Sequence, residues 1–328
     1  MATEIYIVSG FLGAGKTTLI QKLLREAFQG QRVAIIENDF GEISIDAAVL
    51  RSGGFEVREM NSGCICCSLS GNFVGALTEL LERFEPETVI IEPSGVGKLS
   101  DVVRVCSDKR IVSQAHVAAK ITVADARRCR MYLDNFGEFF EDQIMNADVV
   151  VLSRTDGYSG TADAVRMIKQ KNPRAAVISA PQNEVTAENI LGSAISQSDG
   201  DGHNHTCAHN HGCVHAHHNH DDHDDHKDPS DHRVHSHTAE EAFQTVTVYT
   251  EKVFSQRELR EAAREMECGA AGTVLRAKGI VRGKLGYWEF QYAAGDLVLR
   301  RTNTEGGVLC IIGRGLDRRR LTALCGGA

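Results

Sequence analysis

The stretch Gly10-Phe11-Leu12-Gly13-Ala14-Gly15-Lys16-Thr17 leaves this chain few folds to choose from. It fits G-x-x-x-x-G-K-[ST]. It follows the apolar run Ile5-Tyr6-Ile7-Val8 and opens a segment from Gly15 to Phe28 that carries Leu19, Leu23 and Leu24 on one helical face. A strand, this loop and a helix in that order form a phosphate cradle. Backbone N–H groups close around the phosphates, Lys16 reaches the β/γ oxygens and the Thr17 hydroxyl is placed to ligate Mg²⁺. Gly10, Gly13, Ala14, Gly15, Lys16, Thr17 and Thr18 are the expected nucleotide-binding residues; the competing explanation is a chance glycine turn.

Further short β-branched runs at 32–36, 88–91, 119–123, 149–152 and 176–178 are separated by helical patterns such as 69–84 and 161–171. Strands joined by helices imply parallel pairing. The expected fold is therefore α/β: a P-loop NTPase with a doubly wound, mainly parallel sheet, its ligand at the carboxyl ends of the strands. Beyond residue 240 the pattern changes to alternating strands with a capping box at Ser255-Gln256-Arg257-Glu258, which predicts a small α+β C-terminal domain. The expected division is 1–195 for the NTPase unit, 196–240 for a linker and 241–328 for the second domain.

The linker is identified by composition. Of the 14 histidines in the 328 residues, all but His116 lie between His203 and His237, among Asp, Asn and Gly. Such a segment buries too little apolar surface to offset its ordering entropy, so disorder is expected. The net charge of −8 argues against a nucleic-acid partner, which would select clustered Lys and Arg. No apolar run approaches the ~20 residues of a membrane span, and the phosphate loop begins too early for a signal peptide. A cytoplasmic location follows as an expectation, and with it reduced thiols rather than disulfides among the ten cysteines.

Two acidic positions stand where an NTPase organises its magnesium. Glu92 closes the 88–91 run and opens Glu92-Pro93-Ser94-Gly95, in which the Gly95 amide is placed to sense a γ-phosphate. Glu37 and Asp39 follow the 32–36 run. The catalytic set is expected to be Lys16, Glu92 and Asp39; capping and turn roles are the alternatives for the acids. Asp156, in Ser153-Arg154-Thr155-Asp156, is placed to accept from N1–H and the 2-amino group of guanine. Two charge-assisted bonds of ~1.5–3 kcal/mol each would favour GTP over ATP by about a hundredfold or more. Ser179 is a candidate for the guanine oxygen, and a plain turn is the alternative for Asp156.

Gly63-Cys64-Ile65-Cys66-Cys67-Ser68 puts three thiols in four residues. Such thiolates can converge on one soft ion and leave its shell open for transfer; packing and a redox pair are the alternatives. Taken together, GFLGAGKTT, ENDFGEISID, GCICCS, EPSG, QIMNADVVVLSRTD and the histidine tract resemble, in order, the CobW-like GTPases, metal chaperones related to the HypB and UreG nickel-insertion proteins. RAKGIVR and IIGRGLD resemble that family's C-terminal domain. The family has Asn and Lys where this chain has Ser153 and Arg154, and Glu where it has Asp39.

The resemblance implies a GTPase that binds GTP and Mg²⁺, carries Zn²⁺ or Co²⁺ on Cys64, Cys66 and Cys67, with Glu37 a candidate to complete the shell, and delivers it to a client metalloprotein. The tract at His203, His205, His209, His211, His215, His217, His218 and His220 would then capture metal upstream, neutral imidazole being a ligand for such ions. As a coil its 35 residues span roughly 30 Å. A homodimer is compatible with the sequence. Two other readings stay open: a histidine-rich metal buffer with a vestigial GTPase fold, and a P-loop kinase of a small molecule.

Overall fold

The computed structural model describes residues 2–37, 56–59, 70–181, 184–198, 242–293 and 295–327. Seven strands form one parallel sheet: β1 (Thr3–Gly10), β2 (Val33–Glu37), β3 (Glu56–Glu59), β4 (Thr88–Glu92), β5 (Ala115–Asp125), β6 (Val149–Ser153) and β7 (Ala176–Ile178), in the order β3-β2-β4-β1-β5-β6-β7. The strands are apolar on both faces because helices cover both. Ile5 and Ile7 of β1 join one buried cluster with Ala34, Ile36, Val89 and Ile91. Tyr6 and Val8 join the other with Val33, Ile35 and Ile90. The doubly wound expectation is met, and the order places β1 centrally with its Gly10 end at the switch between the sheet's halves.

The helix Lys16–Glu26 buries Leu19, Ile20, Leu23 and Leu24, each contributing about 1.5–3 kcal/mol relative to exposure. The helix Cys129–Met145 carries no clean apolar period in the sequence. It is broken at Phe136, whose φ/ψ of −137° and 27° are non-helical. It turns Tyr132, Phe136, Phe139 and Phe140 onto the sheet. The helix Ala187–Ser198 follows β7, and the histidine linker lies outside the described residues. Among those residues no helix is long and apolar enough to cross a membrane.

The second unit is an antiparallel sheet of β8 (Gln244–Tyr249), β9 (Thr273–Arg282), β10 (Tyr287–Ala293), β11 (Asp296–Thr302) and β12 (Val308–Arg314), in the order β11-β10-β9-β12-β8. The helix Gln256–Glu267 packs Leu259, Ala263 and Met266 against it. That helix starts where the capping box placed it: Glu258 N–H donates to Ser255 Oγ at 3.2 Å, and Ser255 N–H donates to Glu258 Oε2 at 2.8 Å.

The two units share an apolar seam. Phe243, just before β8 and 2 % exposed, sits 5.1 Å from Phe139, 5.8 Å from Phe136 and 6.4 Å from Phe11 by ring centroids. Phe11 belongs to the phosphate loop itself, so the second unit is packed against the loop's own side chain.

Candidate functional site

The loop leaving β1 turns through Gly13 (φ 71°) and Gly15 (φ 108°) and delivers the chain into the helix Lys16–Glu26. That helix has no acidic residue in its first turn and no side-chain cap at Gly15. Its leading N–H groups and the positive end of its dipole therefore face outward, an arrangement suited to phosphate. They open into a cavity of about 310 Å³. Its lining includes Gly13, Ala14, Gly15, Lys16, Thr17, Thr18 and Glu92 on the phosphate side, and Ser153 and Arg154 at its other end.

Lys16, 6 % exposed, holds its ammonium 4.0 Å from Glu92 Oε1. Thr17 Oγ1 donates to the same oxygen at 3.2 Å. Glu92 and Glu37 are register partners at the ends of β4 and β2, so parallel pairing brings two buried carboxylates side by side. A hydroxyl and carboxylate oxygens converging beside a lysine match the hard-oxygen preference of Mg²⁺. The residues present thus fit a magnesium ion accompanying a polyphosphate.

Gly95 backs the loop from below. A Cβ there would lie 2.8 Å from the backbone nitrogen of Leu12, so no larger residue fits without displacing the phosphate loop. Gln143, fully buried, donates from Nε2 to the carbonyls of Gly95 at 3.2 Å and Gly97 at 2.8 Å.

At the other end of the cavity Ser153 closes β6 beside Asp125 of β5. Arg154 follows with a left-handed φ of 57°, which turns its side chain back over the loop. Its guanidinium donates to Gly13 O at 3.1 Å and pairs with Asp125 and, at 3.3 Å, with Asp296. Arg128 joins the group at 3.5 Å from Asp125 Oδ2 and 2.8 Å from Asp296 Oδ2. Two arginines and two aspartates so alternate across the junction of the units. Asp156 is exposed and Ser179 half-buried; neither lines the cavity. The Asp156 carbonyl accepts from Arg127 Nη2 at 3.3 Å.

Several residues of this site escaped the sequence reading. Arg276 and Gln291, from β9 and β10, line the same cavity. Ala293 Cβ lies 2.8 Å from where a Cβ on Gly13 would stand, and Arg128 Nη1 donates to Ala293 O at 2.6 Å. No local pattern marks these positions; only the folding of the second unit over the loop assembles them.

Cys64, Cys66, Cys67, Asp39 and the histidines from His203 to His220 lie outside the described residues. Among the described residues no group of three or more His, Cys, Asp or Glu is gathered as a metal would require. Cys106, Cys129 and Cys325 are buried, and burial pushes each thiol up to about 12, so they pack rather than ligate. Cys268 is exposed.

Two family models match the chain. Residues 4–179 match "CobW/HypB/UreG, nucleotide-binding domain" and residues 243–326 match "Cobalamin synthesis protein cobW C-terminal domain". Among curated proteins, the chain is 33% identical over 222 residues to a protein of Sinorhizobium sp named Zinc chaperone CobW, covering 58% of this chain and 62% of the relative. It is 28% identical over 188 residues to the Escherichia coli protein named Zinc chaperone YjiA, covering 55% and 58%. It is 28% identical over 174 residues to the Schizosaccharomyces pombe protein named Zinc-regulated GTPase metalloprotein activator 1, covering 51% and 42%. The chain thus spans less than two thirds of the length of each of these relatives.

Proposed function

The chain belongs to the CobW/HypB/UreG family, and from that premise we propose that it is a GTP-hydrolysing metallochaperone acting in the cytoplasm. The observation that carries the reading is the cavity in which the phosphate loop, Lys16, Thr17 and the Glu92 carboxylate meet. The names of its relatives support zinc as the cargo; the thiolate chemistry of the cysteine trio also admits cobalt.

In this reading the loop amides and Lys16 hold the β- and γ-phosphates. Thr17 and Glu92, with Asp39 beyond them, would hold Mg²⁺, which supplies neutralisation of phosphate charge. Asp156 and Ser179 select guanine, while Arg154 braces the loop from the base side through Gly13. Gly95, whose carbonyl is tied to Gln143, would sense the γ-phosphate through its amide. The transition metal is bound by Cys64, Cys66 and Cys67, with Glu37 completing the shell, and is passed to a client metalloprotein. The histidine tract loads the site. Shifting such a two-state system from 1:99 to 99:1 takes ~5.5 kcal/mol of differential binding, within the reach of several γ-phosphate contacts.

The test is anaerobic metal competition with the histidine tract deleted, in Mg²⁺ with either GDP or a non-hydrolysable GTP analogue. Metal affinity that is equal in the two nucleotides, or unchanged after all three cysteines become Ser, defeats the reading. Lys16→Ala is expected to abolish GTP hydrolysis and the nucleotide dependence together.

A further inference from the structure

Part of the wall of the nucleotide cavity, Arg276 and Gln291, comes from the second unit. Arg276 lies on β9 directly beside Ala293 of β10. The Ala293 Cβ abuts Gly13, the loop residue against which no side chain would fit. Arg276 is thereby held at the outer edge of the phosphate loop, and it lines the cavity together with Lys16, Thr17 and Glu92.

The unit that carries it is fastened there by independent contacts. Arg128 Nη1 donates to Ala293 O at 2.6 Å, Asp296 pairs with Arg128 at 2.8 Å and with Arg154 at 3.3 Å, and Phe243 is seated among Phe11, Phe136 and Phe139. A guanidinium is always charged, and its planar fork matches two phosphate oxygens at once.

We propose that Arg276 is a phosphate ligand supplied in cis by the C-terminal unit, so that the nucleotide site is completed across the domain junction. This rests on the nucleotide-binding reading above and adds to it a residue and a regulatory consequence. Because coupling between sites is reciprocal, bound nucleotide holds the second unit in place, and loosening that unit weakens the nucleotide.

The test uses the full chain, titrated by fluorescence with a non-hydrolysable GTP analogue and, in parallel, with guanosine. Arg276→Ala and the bulkier Arg276→Gln are expected to weaken the GTP analogue by about 10- to 100-fold, the range of one charge-assisted hydrogen bond. Guanosine affinity stays unchanged, and Arg276→Lys recovers part of the loss. Wild-type affinity for the analogue in both the Ala and Gln variants overturns the inference. So does a parallel loss of guanosine binding, which marks a displaced domain rather than a missing phosphate contact. Failure of the wild-type chain to bind any guanine nucleotide overturns the nucleotide reading itself, and is recognised by its occurring without substitution.

Discussion

Replacing Phe243 by Ala removes an aromatic ring by which the second unit reaches the cluster of Phe11, Phe136 and Phe139. The ring is 2 % exposed. Its neighbours are fixed by β1 and by the helix Cys129–Met145, which leaves little scope for collapse into the void. Phe→Ala losses in such settings run about 3–5 kcal/mol, because a cavity remains after the transfer term is lost. At 2–4 °C per kcal/mol for a protein of this class, the melting temperature should fall by roughly 6–20 °C. Calorimetry with matched urea titrations measures it. A double-mutant cycle with Phe139→Leu should return a coupling of about 0.5–1.5 kcal/mol, as for a contacting aromatic pair. A total loss below about 1 kcal/mol, with no coupling to position 139, would refute the idea that this seam holds the units together.

Gly95→Ala should cost about 1–3 kcal/mol through overpacking against the Leu12 backbone, and it should weaken GTP-analogue binding because the displaced atoms are those of the phosphate loop. The capping box has a pH signature. The Ser255 backbone N–H, and after it the Ser255 hydroxyl, hold the Glu258 carboxyl down at about 2, so its contribution is present above the ordinary Glu range near 4.3 and disappears as pH falls toward about 2. Glu258→Gln should thus be less stable than wild type at pH 7, with the gap closing across that acid window in urea titrations. Labelling with N-ethylmaleimide at pH 8 should modify Cys268 while Cys106, Cys129 and Cys325 stay protected, since a thiol pushed up to about 12 holds about a thousandfold less thiolate than an ordinary one. Rapid labelling of the buried three would contradict the packing described.

Much of the architecture is legible in residue order because local signals and tertiary demands agree. The phosphate loop, the helix after it, the apolar strands 88–92 and 149–153 and the Ser255 cap each stand where pattern puts them. The exceptions have separate causes. Glu56–Glu59 is an edge strand of charged and mixed residues, so it shows no apolar run. The helix Cys129–Met145 carries buried aromatics and a break at Phe136, which blur a 3.6-residue period. Arg154 stands in sequence only as the residue where the resembling family has Lys, whereas in the fold its guanidinium serves Gly13, Asp125 and Asp296. Its last partner is remote in the chain, and no spacing rule spans that distance. The same holds for Arg276 and Gln291, which become site residues only when the second sheet is seated.

The aromatic seam also decides what a shortened form of this protein can report. A fragment ending at Ser198 would keep every element of the nucleotide signature, but it would expose the faces of Phe136 and Phe139 that Phe243 covers. It would also lose the Arg276 wall of the cavity and the Asp296 partner of both arginines. Turnover measured on such a truncate would describe a half-open vessel with a sticky flank. Kinetic comparison with single-domain GTPases is sound only for the two units together.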